Sequence, residues 1–242
     1  GELIMDRAGL KEIVKNEINN KNVIRSETDR KKLLDILNND SKARNSNPKK
    51  PSFNIKSVGE TAYQRAIFNI ETLLFSDFEE KKVTWADLEL PVIFSNSPRR
   101  PCVDLVGKTE DGEMVLCELK FRPKGKKTDG GSPQFAVLEL LTYYYSILNN
   151  CENLDSKKIY HDWKCKGDLK KKHYFCWKDF LNNPLLIVTA NKSYWDYWLG
   201  GEQRGKILSW LKELNSKTSL DVMLHKTKDV DFSKQRLDKL KK

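Results

Sequence analysis

The chain has few cysteines and lacks a long apolar run. It contains 5 cysteines in 242 residues, an odd number without the regular spacing of a disulfide framework, which predicts a reducing compartment. No apolar run approaches the length of a membrane-spanning helix. The N-terminal residues lack the basic-then-apolar order of a secretory signal, and no internal repeat is found. We therefore expect a soluble cytoplasmic protein.

Charge, by contrast, is abundant, and positive charge predominates. Charged residues make up 32% of the chain, and the formal net charge at pH 7 is +10. Lysine and arginine neutralise phosphates and release their counterions, so a basic excess of this size favours a polyanionic partner. A lysine-rich surface also serves solubility alone, so the composition favours nucleic acid without requiring it.

Apolar periodicity divides the chain into a helical N-terminal part and a larger part in which strands and helices alternate. Two amphipathic helices fall within residues 2–37, the second after a candidate cap at Ser26, and residues 38–52 are almost free of apolar side chains, as in a linker. We predict an N-terminal helical appendage with its linker over residues 1–52 and a main domain over residues 53–242. The appendage could pack on the main domain, form a homodimer or contact nucleic acid; packing is the simplest of the three.

The most informative stretch runs from Arg100 to Phe121, where two apolar runs flank the sequence Glu110-Asp111-Gly112. This pattern predicts a β-hairpin, because glycine supplies the positive φ that a tight turn requires. A three-residue loop puts Asp104 directly opposite Glu118, about 5 Å away, and Lys120 lies on the same face as Glu118. Charges in an otherwise apolar hairpin need a partner or a metal ion. An ordinary cross-strand ion pair on a surface hairpin is the simpler alternative.

Two helices that flank the hairpin carry polar residues on stripes predicted to be buried. The helix over residues 59–75 has Glu60 on its apolar stripe, in the first turn, where a carboxylate interacts favourably with the helix dipole. Ser132 and Pro133 are a cap and a first-turn proline, and they open a strongly apolar helix. Gln134 lies on the buried face of that second helix.

The remaining segments complete an α/β pattern. A further strand is predicted at residues 83–94, with a break near Ala86 and Asp87, and others at residues 184–190 and 219–225. Further helices begin near residues 193 and 202. From residue 59 onward the predicted order is helix, three strands, helix, strand.

The spacing of Asp104 followed by Glu118-Leu119-Lys120 resembles the active-site signature of the PD-(D/E)XK nuclease superfamily. The order of elements is similar to the αβββαβ core of that superfamily's restriction-endonuclease-like fold, a mixed central sheet flanked by helices. Val103 occupies the position where the family usually has a proline before the aspartate. The resemblance covers residues 55–190.

The resemblance implies metal-assisted hydrolysis of phosphodiester bonds, with DNA preferred to RNA as the substrate. Mg²⁺ or Mn²⁺ would be held through oxygen, the ligand atom that hard cations prefer. The implied metal ligands are Asp104, Glu118, the Leu119 carbonyl and Glu60. Lys120 would position or deprotonate the attacking water. The implied catalytic set is Asp104, Glu118, Lys120, Glu60 and Gln134.

Other functions stay open at the level of sequence. The same fold can serve as a non-catalytic nucleic-acid-binding or assembly module. The stretch from residue 151 to 180 interleaves lysines with aromatic residues, a pattern that suits contact with phosphates and bases or a small aromatic core. It also contains His161, Cys165, His173 and Cys176, whose spacing differs from that of usual zinc fingers. The basic loop at residues 122–131 could close over a phosphate backbone or be merely solvated.

Overall fold

The computed structural model describes ten stretches of the chain. They are residues 6–39, 59–69, 72–74, 82–92, 101–125, 130–154, 159–164, 170–175, 177–181 and 183–227. Within them the helices are α1 (Arg7–Asn19), α2 (Glu27–Leu37), α3 (Glu60–Asn69), α4 (Pro133–Leu154), α5 (Lys192–Leu199) and α6 (Gln203–Thr218). The strands are β1 (Thr72–Leu74), β2 (Lys82–Pro91), β3 (Cys102–Thr109), β4 (Met114–Lys120), β5 (Ile159–Lys164), β6 (Lys170–Phe175), β7 (Leu185–Ala190) and β8 (Val222–Lys226).

Six of the strands form one mixed sheet in the order β1-β2-β3-β4-β7-β8. Neighbours from β1 to β4 are antiparallel, whereas β4, β7 and β8 are parallel. The chain crosses from β4 to the parallel strand β7 through α4, as parallel pairing requires a long connection. Strands β5 and β6 pair separately as a two-stranded antiparallel sheet within this crossover. The predicted α/β class with a mixed sheet flanked by helices is confirmed. The predicted order helix, three strands, helix, strand differs from the observed one by the strand β1 after α3 and by β5 and β6 between α4 and β7.

Helices cover both faces of the sheet. On one face α3 packs Tyr63, Ile67 and Phe68 against Trp85 of β2 and Leu105 of β3. On the other face lies a larger apolar cluster formed by α4, α1, α2 and the opposite side of the sheet.

Helix α4 is enclosed by protein on two sides. Leu10 and Val14 of α1 and Leu33 of α2 belong to the same apolar cluster as Leu141 of α4. Because the sheet packs on one side of α4 and the N-terminal helices pack on the other, nearly all of its residues from Ala136 to Leu148 are buried. This double burial explains why the helix is apolar around its circumference. Of the roles considered for the N-terminal helices, packing on the main domain is observed.

The structure confirms three local predictions, namely two helix caps and one strand irregularity. The Ser26 hydroxyl accepts a hydrogen bond from the Asp29 N–H at 3.2 Å, and the Ser132 hydroxyl accepts one from the Phe135 N–H at 3.1 Å. The expected irregularity in β2 is a shift of register between Trp85 and Asp87.

Several element boundaries differ from the sequence prediction, and strand β8, for example, begins at Val222 rather than at residue 219. Helix α3 ends at Asn69, and the short strand β1 follows where the helix was expected to continue to residue 75. Isoleucine and leucine suit either structure, and pairing with β2 decides for the strand. Helix α5 begins at Lys192 with Asn191 at its N-cap, rather than after Ser193. Among the described residues, no helix has the length and apolar content needed to cross a membrane.

Candidate active site

The β3–β4 hairpin has the register that the sequence predicts. Leu105 pairs with Cys117 and Lys108 with Met114, and Gly112 in the turn has a φ of 86°. Continuing the same register by one residue puts Asp104 opposite Glu118. The regular ladder ends before that pair, because the Asp104 side chain itself accepts the next backbone hydrogen bond.

Asp104 is fixed by three hydrogen bonds between β3, β4 and α3. Its Oδ2 accepts from the Leu119 N–H at 2.8 Å, and its Oδ1 accepts from Nε2 of Gln64 at 2.9 Å. The same Gln64 amide donates to the Asp104 carbonyl oxygen at 3.1 Å. Loss of water raises the pKa of the Asp104 carboxyl to about 7, against the opposing effects of the Lys120 charge and the Leu119 N–H. The aspartate is therefore held in place, yet it is poorly solvated as an anion.

Lys120 forms two buried ion pairs. Its Nζ lies 2.9 Å from Oε1 of Glu118 and 3.0 Å from Oε2 of Glu139. The exposed fractions of these residues are only 7% for Lys120 and 4% for each glutamate. Burial acts to lower the pKa of Lys120, but the surrounding carboxylates, with Glu118 and Glu139 first, raise it well above its usual value. Lys120 is consequently a cation throughout the physiological pH range.

Glu118 has a less favourable environment than Lys120. Burial, followed by the nearby charge of Asp104, raises the pKa of Glu118 well above its usual value despite the Lys120 ammonium. Its Oε2 is buried and has no hydrogen-bond partner in the described part of the chain. A buried acceptor without a partner costs about 1–3 kcal/mol. Glu118 thus retains an unused oxygen ligand inside the site.

Glu139, which the sequence analysis missed, completes the surroundings of Lys120. Its Oε1 accepts from Lys32 Nζ at 2.6 Å and from the Tyr143 hydroxyl at 2.9 Å. Burial acts to raise the pKa of Glu139, but the charges of Lys120 and Lys32 outweigh it and lower the pKa to about 2. One signal was available in the sequence: Glu139 is the only charged residue between Pro133 and Cys151. A lone charge in an apolar helix has to be paired.

The other predicted residues lie around this centre. Glu60 is the first residue of α3, and its Oε2 accepts from the Phe121 N–H at 3.3 Å. The residue is exposed rather than buried as its apolar stripe suggested. Protein atoms around the carboxylate nevertheless raise its pKa, with the Lys120 charge opposing the rise. Leu119 is fully buried, and its backbone is paired in register with Thr189 of β7.

Gln134 is separated from the centre. It lies half-buried at the wall of a neighbouring cavity, and its side chain has no hydrogen bond to another described residue. Glu139, five residues further along α4, takes the position next to Lys120. The predicted role of Gln134 in orienting the site stays a prediction.

We call this assembly the Lys120 cluster. It consists of Lys120 and the four carboxylates whose charges act on it, Glu60, Asp104, Glu118 and Glu139. With Lys32 counted, four acids face two ammonium groups, so the cluster has an excess of negative charge when every group is ionised. Within the described ranges, no group of three or more histidine, cysteine, aspartate or glutamate side chains is arranged to hold a metal ion.

The candidate zinc residues are only partly described. His161 and His173 are directly opposite each other in the β5–β6 pairing. Cys165 and Cys176 lie outside the described residues, as do residues 126–129 of the basic loop. The described residues therefore test neither the zinc hypothesis nor the predicted closure of the basic loop over a phosphate backbone.

No protein-family model matches the chain, and the curated proteins and the solved structures likewise give no match. Function therefore has to be inferred from the chemistry of the Lys120 cluster and from the fold that assembles it.

Proposed function

We propose that this protein is a metal-dependent nuclease of the PD-(D/E)XK type, which hydrolyses phosphodiester bonds of nucleic acid, DNA in preference to RNA. The observation that carries the proposal is the Lys120 cluster, a buried ammonium group among four carboxylates. If the additional strands β1, β5 and β6 are set aside, the elements from α3 to β7 run in an order similar to the αβββαβ core of that superfamily. The net charge of +10 suits a polyanionic substrate.

The composition of the cluster favours a catalytic role over a structural one. Replacing a buried ion pair by apolar residues of similar volume is often neutral or stabilising, so stability does not require four carboxylates here. Three of them, Glu60, Asp104 and Glu118, have pKa values raised by loss of water. Titratable groups with strongly perturbed pKa values are typical of functional sites.

The cluster fits a hard divalent cation such as Mg²⁺ or Mn²⁺. Asp104 and Glu118 offer carboxylate oxygens, including the unpaired Oε2 of Glu118, and Glu60 and the Leu119 carbonyl are further candidate ligands. Mg²⁺ commonly binds one or two carboxylates and completes its shell with water and substrate phosphate oxygens. The absence of a three-ligand group among the described residues is therefore compatible with this ion. When bound, the cation would supply charge stabilisation to the phosphoryl oxygens.

The protein's own residues would perform the other steps. Lys120 would hold the attacking water and offset the charge that develops on the phosphate. Glu139 would keep Lys120 cationic and oriented through their 3.0 Å contact. Gln64 would fix the Asp104 carboxylate through its 2.9 Å hydrogen bond. These contacts would keep the reacting groups in place before substrate binds.

A second candidate function is a non-catalytic nucleic-acid-binding or assembly module on the same fold. One observation favours it: both ion pairs of Lys120 are formed inside the protein, which is the arrangement of a purely structural network. Binding without cleavage in the experiment below would support this candidate.

The test is a cleavage panel with single-stranded, duplex and branched DNA and with RNA, in Mg²⁺, Mn²⁺ or EDTA. We expect cleavage that depends on the divalent cation, and a loss of at least about a hundredfold in Asp104→Asn and Lys120→Met. Lys108→Met is the matched control, because Lys108 lies on the same hairpin but pairs with Asp179 at 3.1 Å, away from the cluster. Equal cleavage by all variants, or none by the wild type on any substrate, would contradict the proposed nuclease.

A further inference from the structure

A cavity of about 330 Å³ is lined in part by Phe135, whose ring links it to the Lys120 cluster. Its walls are the segment Asn22–Ser26 before α2, the segment Gly131–Phe135 at the start of α4, and Trp198 near the end of α5. Pockets for small organic molecules span roughly 300–1,000 Å³. The cavity is thus large enough for a single aromatic heterocycle and too small for a duplex.

The lining combines aromatic faces with unpaired amides. Phe135 and Trp198 are both half-buried and contribute their rings. The side-chain amides of Asn22, Gln134 and Gln203 take part in no hydrogen bond with another residue that the structure describes. An amide carries two donors and an acceptor, so the cavity presents a set of free hydrogen-bonding groups beside two stacking surfaces.

The charges in the cavity favour a neutral ligand. Arg25 and Asp29 both line it, and their formal charges cancel. The Asp29 carboxylate disfavours a phosphate group inside the cavity, whereas it can accept a hydrogen bond from an exocyclic amino group. A nucleobase satisfies these conditions, because it combines an aromatic face with donors and acceptors on its edge.

The cavity and the cluster share two helices and one aromatic ring. The Phe135 ring centroid lies 5.7 Å from Lys120 Nζ and 5.4 Å from Lys32 Nζ. Asp29 in the cavity and Lys32 at Glu139 are one turn apart on α2. With a rise of 1.5 Å per residue, this separation is about 4.5 Å along the helix axis.

We propose that this cavity binds one unpaired nucleobase of a single-stranded nucleic acid whose adjoining phosphodiester lies at the Lys120 cluster. Trp198 and Phe135 stack on the base, and Gln134, Asn22 and Gln203 bond to its edge. This inference rests on the proposed function, because it assigns the substrate of the same site. It also gives Gln134 a role in recognition rather than in orienting Lys120.

The experiment measures binding without cleavage, in EDTA, by fluorescence anisotropy of short labelled DNA and RNA strands. In one series a single abasic position is moved along each strand. For the wild type we expect one abasic position to weaken binding by about tenfold, as loss of one base–aromatic stack does. In Trp198→Ala and Gln134→Ala the intact strand binds more weakly, and that abasic position has no further effect. Such non-additivity identifies groups that contact each other.

Asp196→Ala is the matched control, because Asp196 is an exposed residue of α5 that does not line the cavity. We expect this variant to keep the full abasic effect, which excludes general damage to α5. An equal abasic effect in wild type and in both cavity variants would overturn the proposal, as would absence of any binding. A wild-type protein that cleaves nucleic acid but shows no abasic effect refutes the cavity alone, whereas a wild-type abasic effect without cleavage refutes the nuclease alone.

Discussion

At the residue scale, Asp104 belongs both to the hydrogen-bond network of the β3–β4 hairpin and to the charged Lys120 cluster. It accepts the Leu119 N–H at 2.8 Å and the Gln64 amide at 2.9 Å, so it replaces the missing rung of the β3–β4 ladder. Desolvation nevertheless raises the pKa of its carboxyl to about 7. The hydrogen bonds of the Asp104 side chain therefore stabilise the hairpin, whereas burial of its ionised carboxylate costs folding free energy.

Asp104→Asn is expected to change how stability depends on pH. The pKa of Asp104 is about 7 in the folded protein and about 3.9 in an unfolded chain. An acid whose pKa is higher in the folded protein stabilises that state at pH values below its unfolded-state pKa. This stabilisation is lost as the pH rises through the folded-state pKa. The wild-type free energy of unfolding should thus fall between about pH 4 and pH 7 relative to the variant.

The measurement is urea unfolding of both proteins in EDTA. From about pH 4 to above about pH 7, we expect the stability of Asp104→Asn relative to the wild type to rise by about 1–3 kcal/mol, because asparagine carries no charge to desolvate. The variant loses one hydrogen bond at every pH, since its amide can accept from the Leu119 N–H or from the Gln64 amide but not from both. A parallel pH dependence in the two proteins would show that Asp104 does not titrate in this range.

Lys32→Ala tests the link between the N-terminal helices and the cluster. Removing the 2.6 Å contact leaves Glu139 with Lys120 as its only cationic partner. We expect the free energy of unfolding to fall by about 1 kcal/mol, because the half-exposed Lys32 side chain is partly solvated and exposed ion pairs contribute little more than this. Lys31→Ala, at an exposed neighbouring position, should change it by less than about 0.5 kcal/mol. Urea denaturation of both variants makes the comparison, and equal effects would rule out a specific Lys32–Glu139 contact.

At the element scale, local patterns were predictable and distant pairings were not. The turn at Gly112, the register of Leu105 with Cys117 and the cap at Ser132 each depend on residues close in sequence. Glu139 was missed because its partners Lys32 and Lys120 are 107 and 19 residues away. Residues that form ion pairs across such sequence distances leave no periodic pattern by which they could be predicted.

The sequence failed to predict strand β1 for a similar reason. Thr72–Leu74 continues the apolar spacing of α3, and its register with Lys82–Thr84 of β2 is what makes it a strand. The exposure of Glu60 follows from its place at the very start of α3, which the helical stripe does not specify. These misses concern tertiary context rather than intrinsic preference.

Gly107→Ala is expected to weaken the central antiparallel pair. A Cβ at this position would lie 2.7 Å from Val83 Cγ1 and 2.8 Å from the Thr84 carbonyl oxygen. Because one of these atoms belongs to the backbone, β2 and β3 would have to separate, at a cost of about 1–3 kcal/mol. Gly205→Ala in α6 is the matched control, since nothing lies within 4 Å of its Cβ. There alanine should be neutral or slightly stabilising. Thermal unfolding compares the two variants, and similar melting temperatures would contradict the close approach at Gly107.

At the scale of the whole molecule, the overall charge and the site charge have opposite signs. The protein carries +10 overall, whereas the Lys120 cluster with Lys32 combines four acids and two bases. The basic exterior would attract a phosphate backbone over long distances. Inside the cluster, the same phosphates would meet carboxylates and be repelled, unless a cation or protons neutralise these groups.

This opposition predicts that divalent cations stabilise the folded protein. An ion that binds only the folded state raises the free energy of unfolding, by about 2.7 kcal/mol at a hundredfold excess over its Kd. We expect millimolar Mg²⁺ or Mn²⁺ to raise the Tm of the wild type, while Glu118→Gln and Asp104→Asn respond weakly because each lacks one carboxylate ligand. NaCl at matched ionic strength separates specific binding from screening. If Mg²⁺, Mn²⁺ and NaCl shift all three proteins equally, the cluster is an internal ion-pair network rather than a cation site, and the non-catalytic module becomes the better interpretation.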